Sequence, residues 1–252
     1  MEFIKRVFTK KNKVFKPKTR EKLRSAILKY CDHNDRSNGN INDWDVSLIT
    51  DMHNLFSCCY YKDCQKKMHL FNEPLDNWNV SNVKNMEKMF ANCHNFNQSL
   101  NNWDVSNVTT MHSMFSGCTN FNQPINNWDI SNVRDMECMF FDCHSFNQSL
   151  NNWDISNVKR MNHMFEWCKR SDNINNFLIN MVEKNNVYAL YELINVMTIA
   201  QIYCIIKNKN FLKNNVGLKL ELNRFLNNSI IDVCKICYKE SQCVDGICGL
   251  CL

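Results

Sequence analysis

The stretch Phe96 to Cys118, FNQSLNNWDVSNVTTMHSMFSGC, returns at Phe121 to Cys143 as FNQPINNWDISNVRDMECMFFDC and at Phe146 to Cys168 as FNQSLNNWDISNVKRMNHMFEWC. Self-similarity at a fixed period marks a repeat architecture. The tryptophans measure that period, because Trp78, Trp103, Trp128 and Trp153 stand 25 residues apart. Trp44 lies 34 residues before Trp78, so nine extra residues have entered between Cys59 and Phe71. Five coils are therefore expected over residues 41–171, with an insertion near 60–70. Loops inserted into repeat arrays gather on one face and often carry binding.

Within a coil, Met86, Met89, Phe90 and Cys93 fall at i, i+3, i+4 and i+7, the spacing of one helical face. The same slots hold Met111, Met114, Phe115 and Cys118, then Met136, Met139, Phe140 and Cys143, then Met161, Met164, Phe165 and Cys168; the first coil has Met52, Leu55, Phe56 and Cys59. Upstream, LNNWDVSNV predicts a brief strand and a turn, with Ser106 or Asn107 as helix N-cap. The expected fold is an α/β repeat solenoid, leucine-rich-repeat-like, built of strand-turn-helix coils. One coil cannot hide its Trp, Met and Phe from water, but stacked neighbours bury them together. Helix axes need about 8–10 Å and strands about 4.8 Å, so such a stack is expected to curve around a concave strand face.

The flanks read differently. Residues 1–15 form a basic arm, since the first 24 residues carry ten Lys and Arg against Glu2 and Glu21, a balance of +8 in a chain of net +5. Residues 16–40 predict a capping helix and linker, with Thr19 as N-cap and Leu23, Ala26, Ile27 and Tyr30 at helical spacing. Residues 172–230 read as helical. Their longest apolar run, Val187 to Ile206, carries a polar stripe of Glu192, Asn195, Thr198 and Gln201, which suits burial in protein better than lipid. Residues 231–252 form a Cys-rich tail.

Composition narrows the chemistry. The 44% hydrophobic fraction argues for a folded chain, and the five glycines are scattered with no phosphate-cradling or nucleophile-elbow string among them. Met1 to Arg20 shows no continuous apolar run of the secretory kind, so an intracellular protein with mostly reduced thiols is expected.

The string W-D-[VI]-S-N-V-x-x-M-x-x-M-F-x-x-C, interleaved with F-N-Q-[SP]-[LI]-N-N, resembles the BspA-like leucine-rich-repeat family, also known as the mycoplasma-lipoprotein-related surface repeat. Pro17, Lys18, Thr19 and Leu23, followed by Ile41 to Ser47, extend the resemblance towards the N-terminus. It implies a non-enzymatic solenoid used in adhesion or protein binding. The missing signal peptide and lipobox cysteine depart from bacterial surface members. Intracellular members encoded by large DNA viruses are the other branch, and AT-rich genomes of that kind suit the Asn, Lys and Ile excess.

One constellation has the spacing of a metal site. Cys234 and Cys237 form a C-x2-C knuckle and Cys248 and Cys251 another, so four thiolates can hold one structural Zn²⁺ tetrahedrally. Disulfides or a metal-free tail are the alternatives. CKICY faintly resembles the opening of a RING domain, which needs eight ligands where this chain ends at Leu252.

Other polar columns read as structural. Asp45, Asp104, Asp129 and Asp154, with Asn79 in the same slot, suggest side chains that accept their own chain's N–H two residues on rather than Ca²⁺ ligands. Asn pairs such as Asn101–Asn102 and Asn126–Asn127 suggest ladders that satisfy turn backbone. Cys59, Cys93, Cys118, Cys143 and Cys168 read as small buried apolar groups. His53, His94, His112 and His144 have no Ser or Cys partner at an inferable distance and support no catalysis.

The leading functional expectation is an interaction scaffold binding another protein, acting inside the host cell if virally encoded, with no small-molecule substrate and no membrane partner. The alternatives are a cell-surface adhesin-like protein, or a nucleic-acid binder using the basic arm and Cys-rich tail. Against the last, residues 41–168 hold 8 basic and 14 acidic side chains, which repel phosphate.

Overall fold

The computed structural model describes residues 14–58 and 68–168, Asn173 and Phe177, and the backbone of Cys243–Val244 and Ile247–Cys248. The inserted segment 59–67, the helical reading of 172–230 apart from Asn173 and Phe177, and Cys234, Cys237 and Cys251 lie outside the described residues. Cys243–Val244 (β1) pairs antiparallel with Ile247–Cys248 (β2), with Cys243 opposite Cys248.

Helix α1 spans Arg20–His33. Thr19, extended at φ −136°, accepts the Lys22 N–H and opens the helix, and Asn34 in the left-handed region closes it. Leu23, Ala26, Ile27 and Tyr30 are buried along one face. Tyr30 and Phe15 meet Trp44 of the first coil edge-on, with ring centroids 5.7 and 4.9 Å away.

The coils contain turns where helices were expected. In the second coil Met86 accepts from the Met89 N–H and Phe90 from the Cys93 N–H, while Lys88 and Asn92 have φ of 52° and 64°. A turn with positive φ at its third residue but not its second is of type II, and φ is not positive at Glu87 and Ala91, so the segment is two such turns in succession. Each turn places its first and fourth residues inward, which gives the i, i+3, i+4, i+7 pattern without a helix. The expected strand is likewise a run of turns and extended residues, closed by bonds such as Trp103 N–H to Leu100 O and Val108 N–H to Val105 O. Ser106 and Asn107 cap no helix.

What replaces the helix is a wall of bonds between coils. The N–H groups of Met86, Lys88, Phe90 and Asn92 donate to the carbonyls of Thr110, His112, Met114 and Ser116 in the next coil, at 2.7–3.1 Å. The third and fourth coils repeat the pattern, and Met52, Asn54, Phe56 and Cys58 donate to the second coil. Parallel bridges run Asp51–Asn85–Thr110–Asp135–Arg160. Alternate residues thus pair as in a parallel ladder. With no helical layer in these coils, the spacing mismatch behind the expected curvature is absent from them.

Inside, the repeated residues form columns. Phe90, Phe115, Phe140 and Phe165 stack at 5.7–5.8 Å, and Phe71, Phe96, Phe121 and Phe146 at 6.0–6.1 Å, all nearly parallel. These are offset-stacking distances, favourable beyond simple area burial. The repeat's indoles find acceptors: Trp103, Trp128 and Trp153 donate to the carbonyl 28 residues earlier at 2.9–3.1 Å, and Trp78, across the insertion, to Ile41 at 2.7 Å. Met68, in the 3-10 turn Met68–Leu70, bonds to Phe71 as Cys93 does to Phe96 and is fully buried. It fills the slot that sequence spacing gave to Cys59, because the chain re-enters the repeat after the insertion rather than before it.

The first coil has no coil before it, so its wall carbonyls need other donors. Arg20 donates Nε and Nη2 to His53 O at 2.8 and 2.6 Å, and Arg24 reaches Leu55 O and, at 3.1 Å, Ser57 O. One turn apart on α1, the two guanidiniums cap the ladder's first row.

Candidate interaction face

Repetition separates what a coil needs from what it can vary. The inward Met, Met, Phe and Cys recur in coils two to five, while the pairs between them differ: Glu87–Lys88, His112–Ser113, Glu137–Cys138 and Asn162–His163. The pairs before them are Lys84–Asn85, Thr109–Thr110, Arg134–Asp135 and Lys159–Arg160. Lys84, Arg134 and Lys159 are exposed. They stand in one column, since the N–H of Thr109, Arg134 and Lys159 each donates to the residue 25 earlier in that column. The variable side chains therefore form a mixed-charge wall.

Within it, ligating atoms of His112, Asp135 and Glu137 lie within 4.8 Å of one another. Arg160 pairs with Asp135 and approaches Glu137 at 3.9 Å, and Asp135 Oδ1 accepts the Glu137 N–H. The guanidinium already supplies the positive charge that a cation would bring. Among the described residues, His112 Nδ1 is buried without a hydrogen-bond partner. Reading the histidines one by one missed this cluster; the 25-residue period, which puts Glu87, His112 and Glu137 in one column, is the signal that finds it.

The other polar residues are absorbed by the backbone. Asp45, Asn79, Asp104, Asp129 and Asp154 each accept the N–H of the serine two residues on, at 3.0–3.1 Å. Asn82, Asn107, Asn132 and Asn157 donate to the serine carbonyl of the preceding coil. The Asn101–Asn102 and Asn126–Asn127 pairs contribute one rung, Asn127 N–H to Asn101 Oδ1. The continuous ladder uses Asn72, Asn97, Asn122 and Asn147 instead. His94 contacts Gly117 O and His144 contacts Asp142, away from the triad.

The thiols of Cys93, Cys118, Cys143 and Cys168 are buried and unbridged, and each donates to the phenylalanine carbonyl of the coil before at 2.7–3.2 Å. Burial pushes the Cys168 thiol up to about 12 and the Cys118 and Cys143 thiols well above the ordinary value.

The family model described as Mycoplasma protein of unknown function, DUF285, matches residues 25–62 and 60–177, more than half of the chain. The chain belongs to that family. The matched DUF285 residues include most of α1, the wall and the stacked core. No curated protein and no solved structure matches the chain. Among the described residues, no helix is long and apolar enough to cross a membrane.

Proposed function

We propose that this DUF285 chain is a BspA-like solenoid scaffold, non-enzymatic, that binds another protein inside the cell, through the variable wall. The observation that carries the reading is the contrast within each coil: inward residues repeat while the outward pairs on the wall change from coil to coil. Stacking fixes the inward positions and leaves exposed ones such as Lys84, Arg134 and Lys159 open to suit a partner. Rigid repeat surfaces bind through such positions, because the core fixes the backbone and leaves the side chains free to match a partner.

The test is capture from the native cell with two charge variants. Lys84→Glu/Arg134→Glu/Lys159→Glu inverts the wall column, and Asp104→Asn/Asp129→Asn changes charge elsewhere while keeping the turn, as Asn79 does. A partner held by the wild type and the asparagine variant and lost by the glutamate variant is expected. Equal capture by all three, or none by any, would overturn the reading.

A further inference from the structure

The asparagine ladder has a first rung with nothing before it. In later coils the N–H of Asn97, Asn122 and Asn147 each donates to the Oδ1 of the asparagine 25 residues earlier, at 2.8–2.9 Å. Gln98, Gln123 and Gln148 donate Nε2 to the same oxygen at 2.9–3.1 Å. Each rung is thus a side-chain carboxamide oxygen gripped by two donors of the next coil.

Asn72 heads this ladder. Its own Oδ1 serves Asn97 and Gln98, but among the described residues its N–H meets no acceptor. The residue after it is Glu73 where the later coils have glutamine. A carboxylate accepts and cannot donate, and Glu73 makes no hydrogen bond or ion pair among the described residues. Both residues line an open cleft of about 380 Å³ between the C-terminal end of α1 and the second coil. Tyr30, Asn34, Arg36 and Leu70 also line it, beside Cys31 and Phe71, with the Arg36 guanidinium 3.5 Å above the Tyr30 ring. Leu70 is 53% exposed at its rim.

We infer that the cleft binds the side-chain carboxamide of an Asn or Gln in a partner polypeptide. Its oxygen accepts from the Asn72 N–H, continuing the ladder by one rung from another chain, and its NH2 group donates to Glu73. The exchange of glutamine for glutamate supports this ligand: an intramolecular rung needs two donors on one oxygen, whereas a separate carboxamide brings its own donor and needs an acceptor. The arginine-covered tyrosine and Leu70 offer apolar contact to the residues beside it. The inference rests on the protein-binding reading and adds a second surface to it.

Nitrogen-15 amide spectra of the full chain, titrated with acetyl-Gly-Asn-Gly-amide and with the isosteric Asp and Leu peptides, test it. The expected result is a saturable shift of the Asn72 amide in the millimolar range, usual for so small a ligand. The Asp peptide, which lacks the donor and faces Glu73 with like charge, should bind about tenfold more weakly or not at all. Glu73→Ala should weaken the Asn peptide by a similar factor, with the dispersed spectrum as the check on folding. Glu73→Lys, a donor in place of the acceptor, should do the same and serves if the alanine variant does not fold. No saturable shift, an equal response to the Asp or Leu peptide, or undiminished binding in both variants would overturn the inference. That failure would leave capture through the wall untouched, since it is read on different residues.

Discussion

Phe115 sits at the middle of the stacked core, fully buried with Phe90 and Phe140 on either side at 5.7 and 5.8 Å. Phe115→Ala should cost about 3–5 kcal/mol, the sum of lost transfer energy and a cavity that rigid neighbours cannot fill. A denaturation midpoint moving no further than that of the exposed Lys159→Ala would contradict the stacking. The thiols supply a pH test with a definite sign. A buried thiol raised towards 12, as at Cys168, contributes stability that is complete below the ordinary thiol pKa of about 8.5 and lost as pH rises towards the folded value. Unfolding midpoints should therefore hold at neutral pH and fall between about pH 9 and pH 12. Iodoacetamide at mildly alkaline pH should spare Cys93, Cys118, Cys143 and Cys168 until denaturant is added, which peptide mapping reads directly. Labelling of these four in the native protein at the rate of a free thiol would sink the prediction. The thiols stay unbridged for a reason the sequence did not suggest. Coils a strand's spacing apart are close enough, but in-register stacking aligns the Cβ directions, and a disulfide needs them to converge.

At the scale of the element, α1 is a lid whose charged side chains do the capping. Arg20→Met/Arg24→Met keeps the aliphatic stems but leaves the carbonyls of His53, Leu55 and Ser57 without their donors. Charged hydrogen bonds are worth more than neutral ones, so the double variant should lose about 2–4 kcal/mol. Its bared first row is an unpaired sheet edge, which should also make it self-associate. Sedimentation velocity and a denaturation curve read the two effects; a monomer of unchanged stability would show the capping to be incidental. How much of this was legible beforehand differs by element. Thr19 and the buried face of α1 stood in the sequence, because helix caps and 3.6-residue periodicity are local signals. The coil interior did not, since two successive four-residue turns bury the same i, i+3, i+4 and i+7 positions as a helix. The missed discriminant was Asn92, Gly117 and Asp142 in one slot, residue types that tolerate the left-handed region. Gly117 is favoured there by its φ of +73°, and a Cβ at that position would displace the Asn92 carboxamide, whose Oδ1 lies 2.5 Å away. The Asn72 cleft was not legible at all, because it depends on α1 folding back beside the second coil.

For the whole molecule, every coil presents the same faces to its neighbours, so the stack should accept changes of length in units of one repeat. Deleting Phe121 to Ser145 joins Asn120 to Phe146 and offers the wall donors of the third coil the carbonyls that the fourth coil used to receive. A folded, shorter protein with a cooperative thermal transition is expected, whereas deleting one residue fewer should give an unfolded or aggregated product. A folded protein from both deletions would mean that register is not set by the ladder. The wall has one more property that follows from its bonding. Within the wall, the N–H groups of Met86, Lys88, Phe90 and Asn92 all point towards the C-terminal end, and so do those of Met111, Ser113, Phe115 and Gly117. Peptide dipoles of about 3.5 D then add along the stack, as they do along a helix. The wall therefore carries a dipole of its own, its negative pole at the carbonyl row where the two arginines sit. A second copy can extend such a ladder only head to tail, so the guanidiniums that cap one pole also deny it the end on which a filament would grow.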